Sequence, residues 1–319
     1  MAAFDPKRDV PDLSGKVILI TGGTAGVGAG TLLELARHNP SHLVFTGRNA
    51  KSAESMISQI HSSSTSAGPS SPPKVTFIPC DLADLSSVRS ASEKLLSELT
   101  RLDVLICNAG IMVVPPALSK DGYEIHFATN HLGHALLTKK LLPLLQATAT
   151  ATAEAGPGRG DTVRIIMVSS AAWRGTPPGG IVFDKLKTKQ EGLPFLGRWL
   201  RYGQSKLANM LYARELAKRH PEILSFSLTP GVVATGLVKD SGWADKALVY
   251  ATTWRAMKTP EEGTHNTLWA VGVDGRDVEP GAFYEPVGKV SKMESKASRD
   301  PELGGKLWEW TEGELERWM

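Results

Sequence analysis

Tyr202 and Lys206 stand four residues apart in the run Tyr-Gly-Gln-Ser-Lys. On a helix that spacing places both side chains on one face. A free phenol has a pKa of about 10 and is a poor acid at neutral pH. An ammonium alongside favours the phenolate and lowers that value. Such a pair can move a proton to or from a carbonyl or alcohol oxygen. A tyrosine packed along an aliphatic lysine stem has the same spacing, so the pair gains weight only from its surroundings. Ser169 and Ser170 follow the β-branched run Val163–Val168. A hydroxyl at that point could hold a substrate oxygen near Tyr202. Ser170 is the choice, because the chain is leaving the sheet there; the competing reading is a turn or cap residue. Asn130 lies in a long helical pattern, and His131 and His134 beside it point to a polar patch facing inward.

A second group of residues suits a nucleotide. Thr21-Gly22-Gly23-Thr24-Ala25-Gly26-Val27-Gly28 follows a short β-branched run and opens a helix. Glycines let the backbone turn sharply and approach a pyrophosphate, and the helix start offers free N–H groups. The spacing is Gly-x-x-x-Gly-x-Gly, and alone it is weak, since an ordinary strand-to-helix turn can look the same. At the end of the next strand, His42 to Asn49 holds no Asp or Glu and contains Gly47-Arg48. An NAD site wants a carboxylate there for the ribose 2′-hydroxyl. A guanidinium pairs with a 2′-phosphate instead, so Arg48 predicts NADP(H). Asp81-Leu82 after the third strand suits the adenine edge. Asn108-Ala109-Gly110 after the fourth is small enough for the backbone to lie against the ribose.

The elements that must position these residues alternate. Strands are expected at Lys16–Thr21, His42–Thr46, Val75–Cys80, Val104–Cys107, Val163–Val168, Leu224–Leu228 and Ala282–Tyr284. Helices are expected at Gly28–His38, up to His61, at Leu85–Leu99, Tyr123–Gln146, Gly203–His220, Glu261–Val271 and along the tail Glu302–Met319. Ser62–Pro73 and Thr148–Asp161 read as low-complexity loops. This rhythm means an α/β protein: one Rossmann-type, doubly wound parallel sheet with helices on both faces. The chain of 319 residues is read as one domain, with its core at about 16–284. Net charge is +3, and the charges are scattered, which excludes a nucleic-acid face. The two cysteines, Cys80 and Cys107, argue for a reducing, cytoplasmic setting and lie in no metal-ligand spacing. No stretch reaches the roughly 18 apolar residues of a spanning helix.

The set TGGTAGVG, CNAG, NHLGHALLT, VSS, YGQSK and PGVVATGL resembles the short-chain dehydrogenase/reductase family. The texture is nearest to the branch of retinol dehydrogenases and related fungal reductases, over about Lys16 to Phe283. The resemblance implies that Tyr202 is the general acid in reduction and the base in oxidation. It implies that Lys206 holds the nicotinamide ribose and lowers the Tyr202 pKa, that Ser170 orients the carbonyl oxygen, and that Asn130 holds a water leading to solvent. Pro230, Gly231, Val233 and Thr235 would lie against the nicotinamide carboxamide. Two departures stand out. Cys107 replaces a common Asn, and Ser170 precedes Tyr202 by 32 residues, far more than in the simplest members. The inserted stretch holds Trp173, Phe183, Phe195 and Trp199, candidates to line the substrate pocket.

Val232–Pro260 corresponds to the family's substrate lid and carries Trp243, Tyr250, Trp254 and Met257, as expected for a lipophilic pocket or for a lid simply packed on the sheet. Trp308 and Trp310 differ by two and cannot share one helix stripe, which leaves one for a partner subunit or a membrane surface. A homodimer through the long helices is the oligomer this resemblance allows. The expected activity is NADPH-dependent reduction of a ketone or aldehyde on a lipophilic small molecule. The rivals are oxidation of a secondary alcohol by the same residues and an NADP-binding regulatory protein without turnover. An extended-type epimerase is disfavoured, because Ala25 stands where its turn has Gly.

Overall fold

The computed structural model describes residues 4–64, 73–156, 162–193, 196–233, 257–292 and 295–319. Strand β1 (Val17–Thr21) is buried along its whole length. Its side chains alternate between two cores, as the pleat requires. Val17 and Leu19 join one, with Leu136 and Leu207; Ile18 and Ile20 join the other, with Leu32 and Leu268. Six further strands extend the sheet in parallel or as its edge: β2 (His42–Gly47), β3 (Lys74–Pro79), β4 (Val104–Cys107), β5 (Arg164–Val168), β6 (Leu224–Leu228) and β9 (Phe283–Glu285). β10 (Lys289–Val290) closes it as an antiparallel partner of β9. The order is β10-β9-β6-β5-β4-β1-β2-β3. Short strands β7 (Val232–Val233) and β8 (Met257–Lys258) pair separately.

Successive strands step outward one way from β1 and the other way from β4. The neighbours β1 and β4 therefore open a crevice at their carboxyl ends, the place where sheets of this kind bind ligands. One face carries α2 (Gly26–Leu35), α3 (Ala50–Ser64) and α8 (Pro260–Gly272); α1 (Pro6–Asp9) begins the chain nearby. The other carries α4 (Leu85–Glu98), α5 (Ile125–Phe127), α6 (Gly133–Glu154) and α7 (Gly197–Arg219). α9 (Lys296–Arg299) leads into α10 (Pro301–Leu315), which lies on α7.

Several boundaries depart from the sequence reading. Helix α6 runs to Glu154, through half of the expected Thr148–Asp161 loop. Alanines favour the helix, and the Thr148, Thr150 and Thr152 hydroxyls donate back to carbonyls one turn earlier, at 2.7, 3.1 and 2.8 Å. Helix α7 starts at Gly197, so Tyr202 sits in its second turn and does not open it. Strand β10 was not expected; two exposed residues carry no periodic signal. Phe195, Trp243, Tyr250, Trp254 and Thr235 lie outside the described residues.

Trp308 and Trp310, both partly buried, each find aromatic contacts within the chain. Trp308 stacks on Tyr212 with ring centres 5.2 Å apart. Trp310 meets Tyr123 and Phe127 edge-on at 6.1 and 5.5 Å. Two residues apart, they point to opposite flanks of the helix, and both flanks have a surface to meet because α10 lies between α7 and the start of α5. Leu303, Leu307 and Leu315 fill the stripe between. Leu307→Ala should therefore cost about 2–5 kcal/mol, the usual range for a buried leucine, read as a lowered urea midpoint with unchanged slope.

Candidate active site

The crevice is built first from the turn after β1. Gly22 and Gly26 take left-handed angles, φ 70° and 58°. A methyl on Gly28 would lie 2.4 Å from the Gly22 carbonyl oxygen and 2.5 Å from the Asn108 amide, so only glycine fits. Ala25 stands at the N-cap of α2 and supplies no side-chain cap. The helix start, with Gly26 and Val27, is thus available to a phosphate. Arg48 is exposed just past β2. Thr24 reaches beside it, since a methyl on Gly47 would come within 3.0 Å of the Thr24 side chain. The turn and the helix start fit the phosphates of a dinucleotide, with Arg48 and Thr24 beside them at the end of β2.

Asp81 and Leu82 lie at the end of β3. Asp81 Oδ1 accepts from the Ala83 amide at 3.0 Å, and Leu82 is buried against Gly133. The end of β4 is joined to β1 by Thr21. Its hydroxyl oxygen accepts from the amides of Asn108 and Ala109, both at 2.9 Å. Its own proton then points to Nε2 of His134 at 2.8 Å. That leaves Nδ1–H of His134 to donate to the Asn130 carbonyl at 2.9 Å. The inward polar patch is therefore real, and its ring is neutral.

Asn130 lies in a wide π-type turn, Ala128–Leu132, between α5 and α6. Such turns are often found at functional sites. The Asn130 side chain is paired on every side: Oδ1 accepts from the Ile111 amide at 2.8 Å, and Nδ2 donates to the Ile111 carbonyl at 3.0 Å and to Ser205 Oγ at 2.9 Å. A methyl on Gly110 would come 3.0 Å from Asn130 Oδ1 and 3.4 Å from Lys206 Nζ. Lys206 Nζ donates to the Val168 carbonyl at 3.0 Å and stands 5.8 Å from the centre of the Tyr202 ring. Ser170 caps the turn Ala171–Gly175, accepting from the Ala172 amide at 3.2 Å, and lies near enough to Tyr202 to lower its pKa. Ser169 is committed elsewhere, donating to the Lys206 carbonyl at 2.7 Å. Ser170, Tyr202, Lys206, Asn130 and Gly110 are thus gathered at the carboxyl ends of β4 and β5.

Other expected residues are placed differently. Pro230 is half-buried at the end of β6, while Val233 is turned against α8, where a methyl on Gly263 would lie 2.7 Å away. Trp173 is a core residue, 1% exposed, and Phe183 packs on Trp310. Of the described aromatics in the insert, Trp199 is the one beside the site, 6.5 Å from the Tyr202 ring. Sequence reasoning missed Glu124, His126 and Arg201. All three are buried, and Glu124 Oε1 lies 2.9 Å from His126 Nδ1 and 3.5 Å from Arg201 Nε. The one local signal was a charged residue amid apolar ones beside the Asn130 pattern.

A family profile described as short chain dehydrogenase matches residues 16–183, more than half of the chain. The chain belongs to the short chain dehydrogenase family. A short-chain dehydrogenase/reductase of Aspergillus calidoustus, drtF, is 34% identical over 97% of this chain and 96% of that one. The polyprenol dehydrogenase of Mus musculus is 33% identical over 94% of this chain and 83% of its own. Among solved structures, an uncharacterised protein from Mycobacterium paratuberculosis superposes with a TM-score of 0.71 at 27% identity, covering 99% of this chain and 98% of that one.

Burial sets the charge states of this short chain dehydrogenase. It pushes Tyr202 up to about 12, against the pull of the Ser170 hydrogen bond. Lys206 is pushed down to about 8 by the same cause. Desolvation of the phenolate is thus the larger influence on Tyr202, with the Lys206 ammonium 5.8 Å from the ring centre. Burial also lowers His131 to about 3 and His134 to about 4.

These two histidines predict an acid weakness. The unfolded chain protonates them near pH 6.5, while the folded state does so only near 3 and 4. The unfolded state therefore binds more protons as pH falls below about 6.5, and stability drops by about 1.4 kcal/mol per pH unit for each histidine. Urea melts between those limits should show this slope, and His134→Gln should remove about one histidine's share of it.

Proposed function

We propose that this dehydrogenase uses NADPH to reduce a ketone or aldehyde on a lipophilic small molecule. The observation that carries this is the grouping of Tyr202, Ser170 and Lys206 with Gly110 in the crevice beside the uncapped start of α2. When bound, the nicotinamide supplies the hydride. Ser170 and Tyr202 hold the substrate oxygen, and Tyr202 gives it a proton as the alcohol forms. Lys206 lies against the ribose side of the site, by Gly110, and Asn130 keeps the Ile111 backbone and Ser205 in place around it. Arg48 would pair with the 2′-phosphate, with Thr24 beside Gly47 at the same strand end.

The charge states support reduction as the first reading. With burial holding Tyr202 near 12, the group is a phenol at neutral pH, a proton donor suited to reduction. Oxidation of a secondary alcohol by the same residues needs the phenolate and is the second reading. A lipophilic substrate is supported by Trp199 beside Tyr202 and by the name of the polyprenol dehydrogenase relative. The free, buried Cys80 and Cys107 support a reducing, cytoplasmic setting. Among the described residues no helix is long and apolar enough to cross a membrane. A homodimer through α6 and α7 would have to include or displace α10, which lies on α7.

Four results test this reading. NADPH consumption should be screened over aldehydes and ketones of increasing chain length, with kcat/KM rising with length. Tyr202→Phe should lose about 10²–10⁴-fold in kcat and still bind NADPH; turnover surviving in that variant removes the mechanism. Arg48→Ala should weaken NADPH binding by roughly 10- to 100-fold, the size of a charge-assisted hydrogen bond, and leave NADH binding unchanged. As for pH, reduction should hold steady to about pH 8 and fall above it as Lys206 loses its proton, whereas alcohol oxidation should rise with pH.

A further inference from the structure

The backbone that leaves β4 does something costly. Val113 is β-branched, 2% exposed, and holds a left-handed φ of 55°. A residue of this kind is rarely found there, and such strain costs on the order of 1–3 kcal/mol unless its surroundings enforce it. The loop Ile111–Val114 is pinned on both sides of Val113. On one side, both backbone groups of Ile111 bond to Asn130. On the other, the Val114 amide donates to Nε2 of His126 at 3.2 Å.

His126 can accept that bond only in one tautomer. Its Nδ1–H donates to Glu124 Oε1 at 2.9 Å, which leaves Nε2 with a free lone pair. Glu124 is itself fixed: Oε2 accepts from the Phe127 amide at 2.8 Å. Its charge faces Arg201, the residue next to Tyr202 on α7. The His126 ring lies 6.2 Å from the Tyr202 ring. Three buried side chains, 0%, 1% and 2% exposed, thus run from the catalytic helix to the strained loop. A fold needing only a filled core would place apolar residues here, since a buried ion pair adds little net stability.

We infer that His126, oriented by Glu124, is a positioning residue that holds the Val113–Val114 loop as a wall of the substrate site beside Tyr202. The inference rests on the oxidoreductase reading for its kinetic arm, but not for its structural one. Losing one neutral hydrogen bond to a strained loop should raise KM for the carbonyl compound roughly three- to tenfold, with kcat and NADPH affinity little changed. The two side chains that lose the acceptor while keeping bulk are given by His126→Phe and His126→Met. His126→Gln keeps an acceptor within reach and should restore the parent behaviour.

The direct readout is amide hydrogen exchange in the full-length protein. The peptide containing Val114 should exchange faster in His126→Phe and His126→Met, while β1 stays protected, and His126→Gln should return it to the parent rate. Steady-state kinetics with 4-nitrobenzaldehyde and decanal as probes then separates KM from kcat. Unchanged exchange at Val114 in both variants overturns the inference, as does a fall in kcat that His126→Gln does not rescue. If the parent protein reduces neither probe nor any other carbonyl compound, the oxidoreductase reading falls, and the exchange data still decide the role of His126.

Discussion

A polar group taken out of water and left without a partner costs roughly 1–3 kcal/mol. The stretch Tyr123–His134 carries six large polar side chains into the interior, and their partners lie in four other parts of the chain. Tyr123 donates to Glu314 of the tail at 2.6 Å. Glu124 faces Arg201, His126 takes the Val114 amide, and Asn130 brackets Ile111. His131 meets Thr311 of α10 at 3.0 Å, and His134 meets Thr21 of β1. The end of β1, helix α7, the loop after β4 and the tail are all fixed relative to this one stretch. A shift of the π-type turn by one residue would leave several of these groups unpartnered together, so its register is held by the sum of them.

The same burial acts on the candidate site. Sequence spacing alone puts the contest between phenol and ammonium in favour of the ammonium, since charge–charge effects act at four residues' separation. In the folded protein both groups are nearly closed to water, Tyr202 at 6% and Lys206 at 4% exposure. Desolvation disfavours either charged form, so the phenol is held protonated and the ammonium is held less firmly. A group kept as an acid is suited to protonating an oxygen on which charge is developing.

Much of the fold was legible in the sequence because its signals are local. The β-branched runs at Val17–Thr21 and Arg164–Val168 are strands, and the glycine turn follows β1 as expected. Tyr202, Lys206, Ser170 and Asn130 were legible because all four belong to short motifs and the helix repeat pairs the first two. The Ala-Thr run of α6 was misread because low complexity was taken for irregularity, although alanine is the best helix former. The roles of Glu124, His126 and Arg201 were not legible. Their contacts join positions 12 to 77 residues apart, and nothing in the local pattern reports which distant backbone group a buried side chain will meet.

Helix α10 has a consequence for how the molecule behaves in company. By lying on α7, and by tying Lys139 to Glu312 at 2.6 Å, it roofs the two long helices with the chain's own tail. A second molecule approaching α6 and α7 from that side would therefore meet the outer surface of the tail before it met either long helix.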